Sequence, residues 1–97
     1  MNTITINNLS PIPFSSFNKV TRVDNGVLVR TANLTLPDAT YLDELEALMA
    51  AGTAISSIAI SMDGTTVYTK SGLEGTINNV SQHVYSGGMS VEVFMTL

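Results

Sequence analysis

Apolar and polar residues alternate along most of this 97-residue chain. A repeat of two is the period of a β-strand with one buried face, because successive side chains of a strand point to opposite sides. Ile4 and Ile6 show this repeat near the start, and Met89 to Leu97 shows it at the other end. The pattern predicts six to seven strands, at residues 3–7, 19–23, 27–36, 58–62, 66–70, 76–85 and 89–97.

One segment, residues 40–51, has a helical period instead. Its larger apolar residues fall within an arc of about 120°; they are Tyr41, Leu42, Leu45, Leu48 and Met49. Thr40 is predicted to cap the first turn, with Asp43 completing a capping box, and Asp38 is the alternative cap. Gly52 follows where a left-handed residue usually ends a helix.

Strands and helix together predict an α+β fold. We expect an antiparallel β-sheet or small sandwich of six to seven strands, with one α-helix, at about residues 40–51, packed across it. Residues 1–18 are predicted to form an N-terminal strand and a proline-containing arm, and residues 19–97 the body of a single domain. Phe14 and Phe17 are expected to pin the arm to the body through their buried area.

Turn residues indicate how the strands are connected. Asn25-Gly26 and Asp63-Gly64 supply the positive φ angles that tight hairpin turns require, and a third turn is predicted at Ser86 to Gly88. The strand at 27–36 is partly apolar on both faces. It is therefore expected to be covered on both sides or bent between two sheets.

The outer face of the predicted helix is acidic and smooth. Asp43, Glu44 and Glu46 lie near its N-terminus, where the helix dipole favours negative charge. Ala47 and Ala50 project almost nothing from the rest of this face. The face is either an ordinary solvent-exposed surface or one against which a neighbouring subunit packs.

Charge and cysteine content exclude several functions. The net charge is −4 with only four Lys and Arg residues, so a phosphate backbone is not an expected partner. The absence of Cys rules out disulfides, thiolate zinc sites and thiol nucleophiles. The sequence has no basic and apolar leader and no run of about 20 apolar residues, so neither export nor a membrane partner is expected. We expect the chain to stay in the cytosol unless an assembly carries it out.

Candidate catalytic and metal-binding residues do not form a motif. His83 shares a strand face with Ser81 and Tyr85, but no nucleophile elbow or glycine-lined oxyanion site accompanies it. The acidic residues of the helix diverge around its axis, and no glycine-rich loop opens a helix as a phosphate cradle does. We therefore expect no enzyme activity, no cofactor and no metal.

The final strand suggests a subunit contact. Val93 and Met95 lie on its fully apolar face, and Phe94 lies on the other face. Either the edge or the Phe94 face of this strand contacts another subunit, or a strand such as 3–7 covers the edge and Phe94 is core between two sheets. The possible subunit contacts from the sequence are Phe94, Val93, Met95, Ala47 and Ala50.

The preceding strand, at 76–85, is predicted to place Ile77 on one face and Val80 and Val84 on the other.

The pattern of elements from residue 27 to 97 resembles the short structural proteins of tailed bacteriophages. The similar features are Leu42-x-x-Leu45-x-x-Leu48 running into Ile58-x-Ile60, then Asp63-Gly64-x-x-x-Tyr68, and finally Gly87-Gly88-Met89-x-Val91-x-Val93. The resemblance implies a capsid, head–tail or tail component, synthesised in the bacterial host cytoplasm and located in the virion. Its partners would be copies of itself and other virion proteins.

A β-rich recognition module is the alternative function. Such a module would bind a glycan or peptide at Tyr68, Tyr85 and the glycine-rich loop between them. The tyrosines can equally be packing residues of their strands.

Overall fold

The structure, a computed structural model, describes residues 2–97. Two four-stranded antiparallel sheets and one helix form an α+β sandwich, which confirms the predicted fold class. The elements in order are β1 (Thr3–Ile6), β2 (Ile12–Pro13), β3 (Ser16–Asp24), β4 (Val27–Leu36), α1 (Leu42–Ala50), β5 (Ile58–Met62), β6 (Thr65–Lys70), β7 (Thr76–Tyr85) and β8 (Gly88–Thr96).

Sheet 1 has the strand order β2-β1-β5-β6, and sheet 2 has the order β3-β4-β8-β7. The eight strands exceed the predicted six to seven because β2, two residues within the proline-containing arm, pairs with β1. Pro13 has no N–H to donate, so an edge position such as β2 suits it. The arm is thus part of sheet 1, and buried Phe14 follows it directly.

The core lies between the two sheets and is closed by the helix. Both sheets and α1 contribute side chains that are almost completely buried: Ile4, Ile6, Leu34, Leu36, Leu45, Ile55, Ile58, Val91, Val93 and Met95. Within residues 2–97 no polar or charged residue is buried. Apolar burial therefore holds the two sheets together.

The hairpin turns form as the sequence predicts. Asn25 and Gly26 have φ angles of 50° and 78°, and Asp63 and Gly64 have 52° and 84°. In each case the flanking strand residues pair directly, so the turn is two residues long. Positive φ at both turn positions matches the twist of the strands on either side.

The helix is shorter than predicted and begins differently. Its N-cap is Tyr41, which makes no side-chain capping hydrogen bond, so the predicted Thr40–Asp43 capping box is wrong. Asp38 instead accepts a hydrogen bond from the backbone N–H of Thr40 at 3.0 Å. Hydrogen bonds from this N–H and then from the Thr40 side chain lower the pKa of Asp38.

The C-terminal end of the helix confirms the prediction for Gly52. Its φ angle is 65°, and its N–H donates to the carbonyl of Met49 at 3.1 Å. The N–H of Thr53 donates to the carbonyl of Leu48, also at 3.1 Å. These two bonds make a Schellman motif, which satisfies carbonyls that the helix itself leaves unpaired.

A β-bulge in β7 corrects the predicted faces of that strand. Ile77 pairs with Met95 and the next register pair is Asn79 with Phe94, so the register shifts around Asn78. Asn78 donates to the Thr96 hydroxyl at 2.6 Å. Because of the extra residue, Ile77 and Val80 both pack against the core although they are three positions apart.

The final strand, β8, lies inside sheet 2 between β4 and β7. Its two edges are paired within the chain, so the predicted free edge is wrong and the alternative, that a strand of the same chain covers the edge, is confirmed. The covering strands are β4 and β7, however, and not the strand at 3–7. Val93 and Met95 are buried between the sheets. Phe94 points to the outer face of sheet 2 and is 36% exposed, so it is not core between two sheets.

Asn7 connects the end of β1 to the segment that precedes β5. Its side-chain amide donates to the carbonyl of Ala54 at 2.7 Å. Its side-chain oxygen accepts from the N–H of Ser56 at 2.7 Å, from the Ser56 hydroxyl at 3.0 Å and from the N–H of Ser57 at 3.3 Å. Its φ angle is 53°, a conformation that Asn tolerates better than most residues.

We expect Asn7→Ala to lower the free energy of unfolding by about 2–3 kcal/mol. The variant loses the side-chain hydrogen bonds, and Ala tolerates the positive φ angle less well than Asn does. Urea unfolding followed by circular dichroism measures the change. Asn8→Ala is the matched control: Asn8 has a φ angle of 63° but no side-chain hydrogen bond within residues 2–97. Equal losses in the two variants would show that the Asn7 side chain contributes nothing beyond its backbone preference.

Candidate interaction surfaces

The β3–β4 hairpin extends beyond the rest of sheet 2. The pairing of β4 with β8 begins at Thr31, so the preceding residues of β4 pair only with β3. Residues 21–30 therefore form a two-stranded projection, called here the ribbon. Apart from the Leu97 N–H, which donates to the Arg30 carbonyl at 2.9 Å, its outer edges make no backbone hydrogen bond within the described chain.

The ribbon exposes apolar side chains on both faces. Val23 and Leu28 pair across the strands on one face and are 70% and 52% exposed. Val27 lies on the other face and is 62% exposed. The sequence predicts a strand that is covered on both sides or bent between two sheets, yet residues 21–28 of the ribbon are all exposed.

Positive charge is concentrated at the ribbon and at Lys19 just before it. Residues 19–30 contain three of the four Lys and Arg residues and one of the eight Asp and Glu residues, so they carry a charge of +2 and the remainder carries −6. Neither Arg22 nor Arg30 forms an ion pair with any residue that the structure describes. The ribbon thus combines exposed valines with two guanidinium groups that form no ion pair within residues 2–97.

The outer stripe of α1 is acidic, in contrast to the basic ribbon. Asp43, Glu46, Ala47 and Ala50 are all exposed and follow the i, i+3, i+4, i+7 spacing of one helix face. The helix has no basic residue in its last turn. The structure therefore leaves Ala47 and Ala50 accessible for contact, in an acidic surrounding.

The outer face of sheet 2 is a third exposed surface. Phe94 lies at its centre, paired across the strands with Asn33 and Asn79. The side-chain oxygen of Asn33 is buried there and has no hydrogen-bond partner within residues 2–97. Of the three final-strand residues singled out from the sequence, Phe94 alone can offer its side chain to another subunit.

An open groove of about 480 Å³ lies at one end of the sandwich. Phe17, Met62 and Val67 contribute its apolar wall. Lys19 donates a hydrogen bond to the Tyr68 hydroxyl at 3.0 Å, and its ammonium is 5.6 Å from the centre of the Tyr68 ring. The groove thus has an apolar wall, with the Lys19–Tyr68 pair and the polar residues Asn2, Ser15 and Ser16 around it.

Tyr68 and Tyr85 do not form one site. Tyr68 contacts Lys19. Lys19 pairs with Ala32 of β4, which in turn pairs with Met95 of β8. Tyr85 pairs with Gly88, seven residues earlier on β8. At about 3.3 Å per residue this separation is roughly 23 Å along the strand, too far for the two rings to share a ligand.

His83 lies on an exposed part of the β7–β8 pair, beside Glu92. Its Nε2 lies 3.4 Å from a carboxylate oxygen of Glu92, and both side chains are accessible to solvent. Ser81 pairs with Glu92 across the strands. In the described part of the chain, no three metal-ligating side chains of the His, Cys, Asp and Glu types come together.

A scan of the chain against protein-family models finds no match, and a search of curated proteins finds no similar sequence. Among residues 2–97 there is no helix with the length and apolar character that a membrane crossing requires.

Sequence reasoning missed the ribbon as a surface. Two signals are nevertheless present in residues 19–30: apolar side chains on both strand faces and three of the four cations. The sequence does not show that β4 pairs with β8 only from Thr31 onward.

Proposed function

We propose that the protein is a non-enzymatic structural subunit that works through repeated protein–protein contacts, as a capsid, head–tail or tail component of a tailed bacteriophage virion. The observation that carries the structural role is the exposed apolar ribbon. The virion setting rests on the resemblance of the element pattern over residues 27–97.

An uncovered ribbon of this kind is physically unfavourable. Isolated two-stranded hairpins are marginally stable in water, and this one exposes Val23, Val27 and Leu28 as well. Covering the exposed part of these three side chains would contribute roughly 3–5 kcal/mol at about 1.5–3 kcal/mol per fully buried side chain. That corresponds to roughly two to four powers of ten in an association constant.

The composition also favours assembly. Only 12% of the residues are charged, so the surface holds few strongly hydrated groups that a contact would have to desolvate. The net charge of −4 gives weak repulsion between copies. Subunits with such surfaces can approach closely at small electrostatic cost.

Native mass spectrometry and sedimentation over a concentration series test this proposal. We expect the wild type to form an oligomer and the triple variant Val23→Thr/Val27→Thr/Leu28→Thr to weaken its association at least about 100-fold, since Thr keeps strand propensity but removes apolar area. Val84→Thr is the matched control, because Val84 is 74% exposed on β7, outside the ribbon. A wild type that stays monomeric at every concentration would overturn the structural role.

Phe94→Asp in the same experiment tests the outer face of sheet 2. The side chain is partly exposed, so we expect a folded variant whose oligomer persists if the ribbon is the main contact. Dissociation by Phe94→Asp, with the ribbon variant still assembled, would assign the contact to the outer sheet face instead.

A recognition module is the second candidate function, supported by the groove beside Phe17, Met62 and Val67. Its apolar wall and the Lys19–Tyr68 pair suit a peptide side chain better than a glycan, because most of the accessible lining is apolar. Screening the monomeric triple variant against peptide and glycan arrays distinguishes this function. Specific binding that Val67→Asp abolishes would favour the module over the structural role.

A further inference from the structure

We propose that the ribbon of one copy docks on the outer stripe of α1 in a second copy, so that subunits join head to tail. This inference rests on the proposed structural function and adds both the occupant of the ribbon and the surface that receives it.

The positions of the two surfaces favour a contact between copies. α1 packs against β7, which is one edge of sheet 2, whereas β3 of the ribbon is the opposite edge. The cations of the ribbon form no ion pair with the acids of α1 inside the described chain. The two surfaces thus lie toward opposite edges of sheet 2 in one molecule, and both are exposed.

Charge complementarity selects α1 as the acceptor. The ribbon and the residues just before it carry Lys19, Arg22 and Arg30, and α1 carries Asp43, Glu44 and Glu46 with no cation. Opposite potentials on two surfaces steer their encounter and disfavour the alternative pairing of ribbon with ribbon. Partly desolvated Arg–carboxylate pairs also fix register, because the guanidinium binds a carboxylate through two parallel hydrogen bonds.

Shape complements charge at this contact. Ala47 and Ala50 leave a low surface between the acidic side chains, and both are exposed. The side chains of Val23 and Leu28 protrude from one face of the ribbon and can lie on these alanines. Arg30 lies on the same face and can reach a carboxylate beside them. The groove beside Met62 is a poorer acceptor, since it contains no carboxylate and already holds Lys19.

The contact joins different surfaces of identical chains, so it is heterologous. Such contacts close into rings when the rotation between subunits permits and extend into filaments when it does not. Every copy then uses its ribbon once and its helix once.

Cross-linking tests the contact directly, because the chain has no cysteine of its own. Val23→Cys/Ala47→Cys, treated with a short bifunctional maleimide that tolerates differences in register, is expected to give a ladder of covalent multimers. Mixed single variants should give only dimers. Val84→Cys/Ala47→Cys is the matched control, with an equally exposed site outside the ribbon. A ladder of equal extent in the control would overturn the proposal.

Charge reversal supplies an independent test. Arg22→Glu/Arg30→Glu and Asp43→Lys/Glu46→Lys are each expected to weaken association at least about 10-fold, since like charges then face each other. An equimolar mixture should assemble again, because each reversed surface finds an opposite one on the other variant. Circular dichroism verifies that each variant is folded.

The outcomes separate this inference from the proposed function. A wild type that never assembles removes the proposed function and the inference together. The inference alone is overturned if the wild type assembles and the triple Thr variant of the ribbon does not, while Asp43→Lys/Glu46→Lys assembles normally. In that case mixing the two charge-reversed variants would also fail to restore assembly.

Discussion

Leu45→Ala is expected to lower the free energy of unfolding by about 2–5 kcal/mol, the range for deleting methylenes from a packed core. Leu45 is 0% exposed and is the one residue of α1 that is completely buried. The two sheets are held by their own hydrogen bonds, so the surroundings relax only partially into the vacated volume and a cavity remains. Urea unfolding with an unchanged m-value measures this loss.

Leu9→Ala is the control for Leu45→Ala. It makes the same chemical change at a position that is 39% exposed and outside the core. Its effect is expected to stay below about 1 kcal/mol. If Leu45→Ala loses less than about 0.5 kcal/mol, α1 does not pack on the core through this residue.

Gly75→Ala is expected to destabilise the fold by about 3 kcal/mol, at the upper end of the range for overpacking. Gly75 and Ile55 exchange two backbone hydrogen bonds, of 2.7 and 3.0 Å, that bridge the segment after α1 to the segment before β7. A Cβ at Gly75 would collide with the carbonyl oxygen of Thr96 and lie 2.9 Å from the Cα of Leu97. Both are backbone atoms, so no change of side-chain rotamer relieves the collision.

Gly64→Ala separates this collision from ordinary glycine strain. A Cβ at Gly64 would have no heavy atom within 4 Å, but its φ angle of 84° is unfavourable for Ala. The expected loss is about 1–2 kcal/mol. Thermal unfolding of the two variants compares them, and a smaller loss for Gly75→Ala than for Gly64→Ala would contradict the close approach of the Thr96 carbonyl.

Local features of the fold could be predicted from the sequence. Asn25-Gly26 and Asp63-Gly64 favour positive φ by their own chemistry, so their hairpins do not depend on distant residues. Gly52 likewise ends α1 for a local reason. The strands themselves follow from alternation, because one face of each must be buried wherever it pairs.

Features that depend on a choice between candidate partners, or on a partner distant in sequence, could not be predicted. The N-terminal signals of α1 were ambiguous, and Asp38 rather than Asp43 contacts Thr40. The bulge at Asn78 needs the Thr96 hydroxyl as a partner, which is distant in sequence. The local pattern shows both Asp38 and Asp43 near Thr40 without deciding between them, and it does not show the Thr96 partner at all.

The candidate interaction surface shows the same division. Ala47, Ala50 and the acids of α1 were correctly predicted to lie on an outer face, because helical period alone fixes which residues oppose the core stripe. Val93 and Met95 were singled out with Phe94, but the positions of β4 and β7 bury them. The repeat of two separates the residues on the two faces of β8, but it does not decide which face the other sheet covers.

An α+β chain of alternating strands, two tight hairpins and one amphipathic helix follows from local patterns, namely the periods of apolar residues and the backbone preferences of Gly, Asn and Asp. Strand order, the central place of β8 and the projection of the ribbon arise only when the strands pair and the sheets pack. Those features depend on where one strand stops pairing with another. That end point is set by long-range packing, which a local pattern of residues does not contain.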